Sequence, residues 1–325
     1  MAGSSSFFDA SVGGELLRLG VNLQDTSLGS LQVCMEPGLI AQFDVADSGS
    51  DDAATCVEQL VTKAGKVPDK ISPYTSPMVI ITRTPIVGLL ERIGVVAQVN
   101  GLTIFNVRKY LNVFNSGETW AQIPGNASYQ SLSRILLWTT DPGYSNSGGM
   151  LAAIAYAAQN ADHPVTTLKP GDWRVQVIKS LFTELGDLQT HTPDLLEQFL
   201  AQGMAGIPMA MVYEDDYLNA RLTREIPANS DITVMYPNPD VITQDTLVSW
   251  TPKGDKLNAL LTTPTMEAYL EAYGYRTSQD ADSFVGYMAK RGITVPDLNV
   301  LHRYLQFTPM PSETSLLALI NAVAG

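Results

Sequence analysis

Basic side chains are scarce in this sequence. Twenty Lys and Arg stand against 33 Asp and Glu, giving a net charge of −13 over 325 residues. That balance argues against nucleic acid as a partner, because duplex binding is driven by Lys and Arg neutralising phosphates. It argues equally against an anionic membrane surface. A small anionic ligand stays open, since it responds to local dipoles more than to distant net charge. Long apolar runs are missing too, and nothing approaches the ~20 residues needed to cross a bilayer. The three histidines, His163, His191 and His302, sit in polar or loop contexts without an evident partner. No G-x-S-x-G elbow, Walker A loop or HExxH motif occurs, so the sequence argues for a protein that is not an enzyme. Only two cysteines occur, Cys34 and Cys56, with no CxxC or Cys/His cluster for zinc. They are either a disulfide, as an oxidising compartment permits, or two buried thiols. No cofactor is implied.

What is present describes a globular chain. Apolar residues make up 45% and charged residues 16%, a composition that builds a packed core. The length suits two domains. Met1-Ala2 runs into Gly3-Ser4-Ser5-Ser6 without a positive or apolar leader. The expectation is either a cytosolic protein or a mature chain whose export signal, and a first β-strand, have been removed. Helical spacing runs from Phe8 to Leu19 and from Ala53 to Ala64. Further helices are expected around 90–93, 107–114, 151–158, 173–185, 193–201, 256–261, 264–273, 280–289 and 313–323. Strands are expected at 31–35, 42–46, 78–81, 103–105, 135–138, 209–213, 232–236 and 246–250. Such alternation predicts an α/β fold whose sheets are mostly parallel, with helices on both faces.

Three loops share one design, small hydroxyl residues and Gly leading into a helix. They contain Ser4, Ser5 and Ser6; Ser48 and Ser50; and Ser145, Asn146, Ser147 and Gly148. A helix start leaves about four N–H groups unsatisfied and carries a fractional positive charge, which suits carboxylates and oxyanions. Ser and Asn are also ordinary caps, and only the Ser145–Gly149 loop is richer than a cap requires. Tyr213 and Glu214 close a strand, placed either to face a ligand or simply to begin the next helix. Arg83 has the chemistry to grip an anion bidentately, or to serve as an ion pair.

The order of these segments resembles the bacterial extracellular solute-binding proteins of the two-lobed type II class, which includes molybdate and sulfate binders and their actinobacterial relatives. The resemblance rests on Gly3-Ser4-Ser5-Ser6-Phe7-Phe8, on Phe43-Asp44-Val45-Ala46-Asp47-Ser48-Gly49, and on Thr139-Thr140-Asp141-Pro142 through Gly148. It continues through Met209-Ala210-Met211-Val212-Tyr213-Glu214, Tyr236-Pro237-Asn238-Pro239, Lys253-Gly254-Asp255-Lys256-Leu257 and Gly274-Tyr275-Arg276. It implies two lobes, one of residues 1–82 plus 232–325 and the other 83–231, with a ligand cleft and hinges near 82–85 and 227–232. It further implies an extracellular or periplasmic monomer that delivers a small, favoured anionic, ligand to the membrane permease of an ABC-type transporter. An enzyme on the same scaffold and a ligand-sensing module of a larger cell-surface protein are the competing readings.

Overall fold

The structure is a computed structural model that describes residues 1–3, 8, 10–26, 28, 33, 36–49, 51–277 and 281–324. Its first half runs α1 (Ala10–Arg18), β1 (Val45–Ser48), α2 (Asp51–Lys63), β2 (Asp69–Arg83), α3 (Thr84–Arg92), β3 (Val96–Val99), β4 (Leu102–Asn106), α4 (Val107–Ser116) and α5 (Asn146–Gln159). It continues through α6 (Trp173–Leu185), α7 (Thr192–Gly206), β5 (Met209–Tyr213), α8 (Glu214–Leu222), β6 (Ile232–Asn238) and β7 (Ile242–Ser249). The last elements are α9 (Pro252–Leu261), α10 (Pro264–Ala272), β8 (Arg276–Thr277), α11 (Ala281–Ala289), α12 (Leu298–Tyr304) and α13 (Glu313–Ala324).

Local chemistry accounts for many of these boundaries. Asn106 caps α4 by accepting from the Lys109 N–H at 2.8 Å, and Gly117 ends it. Asp172 caps α6 through the Arg174 N–H at 3.0 Å. Thr251 and Thr263 cap α9 and α10, each with Pro in the first turn, where a missing N–H costs nothing. The β3–β4 hairpin turns on Asn100-Gly101, both at positive φ, the pair a two-residue turn favours.

The chain divides into two compact units, Met1–Ser76 with Thr243–Arg291, and Pro77–Ile242 with Gly292–Gly325. The first unit holds β1 antiparallel to β7, β7 beside β2, and β8 antiparallel to β2 at Tyr74 and Thr75. Ala2 bridges Thr26 and Ala46 in parallel, so a short extended piece precedes the first helix, where the sequence suggested that an opening strand was missing. Two apolar clusters fill this unit. One joins Val12, Leu16, Val45, Tyr74, Leu247 and Leu270, and the other joins Ala54, Val57, Val61 and Trp250.

In the second unit the inner half of β2 runs against β5 on one side and β6 on the other. β4 joins β6 in parallel and pairs β3 antiparallel. Its core includes Phe105, Tyr110, Phe114, Trp120 and most of α5. α13 packs on α5 and α6 and buries Leu316, Leu319, Ile320 and Val323. Each such side chain contributes about 1.5–3 kcal/mol, which ties residues 292–325 to the second unit. The sequence reading grouped that tail with the first lobe and placed boundaries at 82/83 and 231/232.

The α/β class is as expected, but strand direction differs from the mostly parallel sheets predicted. Among the described residues the β1/β7, β2/β5, β2/β6, β2/β8 and β3/β4 ladders are antiparallel, and β4/β6 is parallel. β2 is one long strand that enters both units and runs antiparallel to β5, β6 and β8. The expected strand 135–138 makes only isolated bridges at Arg134 and Trp138. The expected strand 31–35 falls largely outside the described residues, and Val33 is helical.

Candidate functional site

The richest constellation of predicted site residues lies where β5 ends and α5 begins, within the second unit. Trp138 lies alongside β5, donating its N–H to the Met209 carbonyl at 3.0 Å and accepting from the Met211 N–H at 2.8 Å. The chain then turns through Thr139 and Thr140 into the loop before α5. Asp141 organises that loop, since its carbonyl accepts from the Ser145 N–H at 2.8 Å and its carboxylate from the Gly143 N–H at 2.7 Å.

Ser147 is buried and shares hydrogen bonds with Thr140 Oγ1 at 2.6 Å and Ser145 Oγ at 2.9 Å. Gly148 is required by packing, because a Cβ there would lie 2.4 Å from the Thr140 carbonyl oxygen and 2.7 Å from the Pro142 nitrogen. These two residues therefore lock the loop onto the helix. Ser145 makes no side-chain cap bond to α5; its hydroxyl shares a hydrogen bond with that of Ser147. Ser145, Asn146 and Tyr213 are each half-buried. The Asn146 amide donates to the Tyr213 hydroxyl at 3.3 Å, and that hydroxyl reaches Met150 Sδ at 3.8 Å. Thr139 Oγ1 is buried without a hydrogen-bond partner.

Glu214 begins α8 and is buried. Its carboxylate accepts a 2.6 Å hydrogen bond from the Tyr236 hydroxyl. Tyr213 faces Met78 in the β5–β2 ladder, whereas Arg83 faces Ile232 in the β6–β2 ladder. Five residues of strand separate Met78 from Arg83, about 17 Å at the usual rise. Arg83 is therefore not brought together with Tyr213 and Asn146. It pairs with Asp231 at 2.6 Å and stacks over the Phe199 ring.

Ser48 lies in the first unit, buried in β1 opposite Thr246. Ser4, Ser5, Ser6 and Ser50 lie outside the described residues. Cys56 is disulfide-bonded; Cys34, the other cysteine of the sequence, also lies outside them. Among the described residues no group of three or more His, Cys, Asp or Glu is placed to hold a metal ion. No helix there is long and apolar enough to cross a membrane.

Sequence reasoning passed over two buried acids. Asp47, at the end of β1, is buried, and desolvation pushes its carboxyl up to about 7 against a hydrogen bond from Tyr74. Its Oδ1 has no partner. Asp240 follows β6 with no exposed surface, and burial holds its carboxyl well above the usual range. The only signal for either was an acid at the edge of an apolar strand. Asp216, beside Asp215 at the start of α8, is also raised by burial and then by its neighbour's charge.

No known family model matches the chain, and no curated protein matches it. Solved structures do. Iron-bound HitA from Pseudomonas aeruginosa aligns with a TM-score of 0.57 at 10% identity, over 100% of this chain and 98% of that one. The Atu4243-GABA receptor aligns at 0.56 and 13% identity, covering 100% and 96%. The Trichodesmium protein IdiA (FutA), in complex with iron and citrate, aligns at 0.52 and 10%, covering 99% and 97%. At these identities the likeness is one of fold, shared with each of these proteins along nearly the whole of both chains.

Proposed function

We propose that this chain is an extracytoplasmic solute-binding protein that captures one small ligand and hands it to the permease of an ABC-type transporter. The observation that carries the reading is the end-to-end fold likeness to proteins described as iron-bound and as a GABA receptor, spanning all of this chain. The half-buried polar group Ser145, Asn146 and Tyr213 at the start of α5 supplies the contact surface. The 14-residue α5 presents a positive dipole end there, which favours a ligand with a carboxylate or oxyanion end. The disulfide at Cys56 agrees with an oxidising compartment. In this reading the two compact units act as the two lobes and the protein works as a monomer.

Thermal-shift screening of a folded, ligand-stripped sample tests it, using oxyanions, organic acids, amino acids and sugars. A true ligand at 100 times its Kd adds about 2.7 kcal/mol of stability. Silence from every class would count against a binding role, and a response confined to neutral sugars would remove the anionic preference.

A further inference from the structure

The last residues of β6 lead to a buried carboxyl that the binding role does not use. Asp240 lies just after the Asn238-Pro239 bond and two residues before the chain passes from the second unit to the first. Its backbone is clasped from both sides by the segment after α12. The Asp240 N–H donates to the Gln306 carbonyl at 3.0 Å, and the Asp240 carbonyl accepts from the Thr308 N–H at 2.9 Å. Asn238 adds a third tie, accepting from the Gln306 N–H at 2.9 Å. The side chain is fully buried. Oδ1 accepts from the Val241 N–H at 2.7 Å, and Oδ2 has no partner.

Among the described residues no Lys, Arg or His pairs with its carboxyl, although α12 ends in exposed His302 and Arg303. α8 contributes Glu214, a negative neighbour, and β6 contributes Tyr236, whose hydroxyl is given to Glu214. The 306–308 segment brings Gln306, Phe307 and Thr308, none of them charged, and His302 of α12 stacks its ring on Phe307. Thr308 also donates to the Asp162 carbonyl, while the Asp162 carboxylate is paired with Arg108 at 3.0 Å. A carboxylate at Asp240 would thus be buried beside another carboxylate with one oxygen unsolvated, which low-dielectric surroundings penalise heavily.

We propose that Asp240 is a protonation latch. The clasp itself is made by the Asp240 main chain and the Asn238 side chain; the buried carboxyl is tolerated beneath it only when protonated, so that ionisation favours the opened state. Burial first, then the charge of Glu214, favour the protonated form. The direction follows from linkage. The clasped state holds a proton that the opened state releases, so the latch is fully fastened below the ordinary carboxylate range and weakens as pH rises from there towards the raised value. Within that window, opening becomes up to about tenfold easier for each pH unit. The inference does not depend on the ligand-binding reading.

Hydrogen exchange at the Asp240 and Thr308 amides reads the clasp directly in the full chain. After correction for intrinsic base catalysis, protection at both amides should fall as pH is raised from about 5 to about 9. In the β3–β4 hairpin it should hold steady. Asp240→Asn, which cannot ionise, should flatten the pH dependence at both amides. An equal fall in wild type and Asp240→Asn overturns the latch. A second measurement needs no variant. The wild-type Asp240 carboxyl carbon, followed by NMR, should stay protonated at about pH 6, where an ordinary aspartate is ionised. An Asp240 already ionised there also overturns it.

Discussion

Replacing Asp47 with Asn changes how the stability of the first unit depends on pH, and the size of the change follows from the burial of that carboxyl. Asp47 is 6% exposed at the end of β1, and its carboxyl is raised from 3.8 to about 7, chiefly by desolvation. The folded chain therefore keeps a proton that the unfolded chain releases. Stability is greatest below the ordinary carboxylate range, falls as pH rises, and levels off above about 7. The gap of about three pH units, at 1.36 kcal/mol each, makes the total loss roughly 4 kcal/mol. Asn has the same shape and cannot ionise. It pays a constant cost of about 1–3 kcal/mol for the partnerless position at Oδ1, and this cost does not vary with pH. Urea unfolding of both proteins at about pH 4 and about pH 8, followed by a probe in the first unit, isolates the effect because other ionising groups cancel in the difference. The variant should gain on wild type by roughly 4 kcal/mol between the two conditions. A difference that does not move with pH refutes the reasoning, because Asp47 would then be ionised in the fold at little cost.

Three further outcomes follow from the packing. Gly148→Ala drives a Cβ to within 2.4 Å of the Thr140 carbonyl oxygen; it should cost about 1–3 kcal/mol or more, visible as a lowered melting temperature. Tyr110→Phe leaves the buried Leu137 N–H without the hydroxyl that accepts from it at 2.8 Å, and should cost about 1–3 kcal/mol in urea titrations. The untreated protein should show no free thiol at Cys56. Reducing the disulfide should lower stability by roughly 3 kcal/mol if it closes a loop of about 20 residues, a shift that calorimetry with and without reductant would detect.

The strongly periodic segments were the legible ones. α6 and β5 were read to the residue, because Asp172 and Gly186 bracket the first and Pro208 precedes the apolar run of the second. β2 was read as four residues of a much longer strand. Its outer half, Asp69-Lys70-Ile71-Ser72-Pro73-Tyr74-Thr75-Ser76-Pro77, carries two prolines and mixed polarity, which normally demote a strand. β3 is short and largely exposed, although Asn100-Gly101 carried a readable hairpin signal. Strand direction could not be read from alternation, since it is set by which strands pair once the chain has folded, as where β7 returns against β1 and β5 against β2.

The geometry of the candidate site was legible in part. Ser145, Asn146 and Tyr213 do come together, and Glu214 lies beside them in sequence with its side chain turned to Tyr236. Gly148 and Ser147 owe their identity to loop closure. Arg83 was grouped with them by its chemistry alone, and only strand register places it five residues further along β2. The buried acids Asp47 and Asp240 were invisible because burial of a polar residue is a tertiary property.

Titration calorimetry tests the central claim most directly, using the best hit from the ligand screen on wild type, Asn146→Ala and Arg83→Ala. The account predicts one site per chain, at least about tenfold weaker binding for Asn146→Ala, equivalent to about 1.4 kcal/mol, and near wild-type affinity for Arg83→Ala. Unchanged binding in Asn146→Ala, or a loss confined to Arg83→Ala, would contradict a ligand seated at the start of α5.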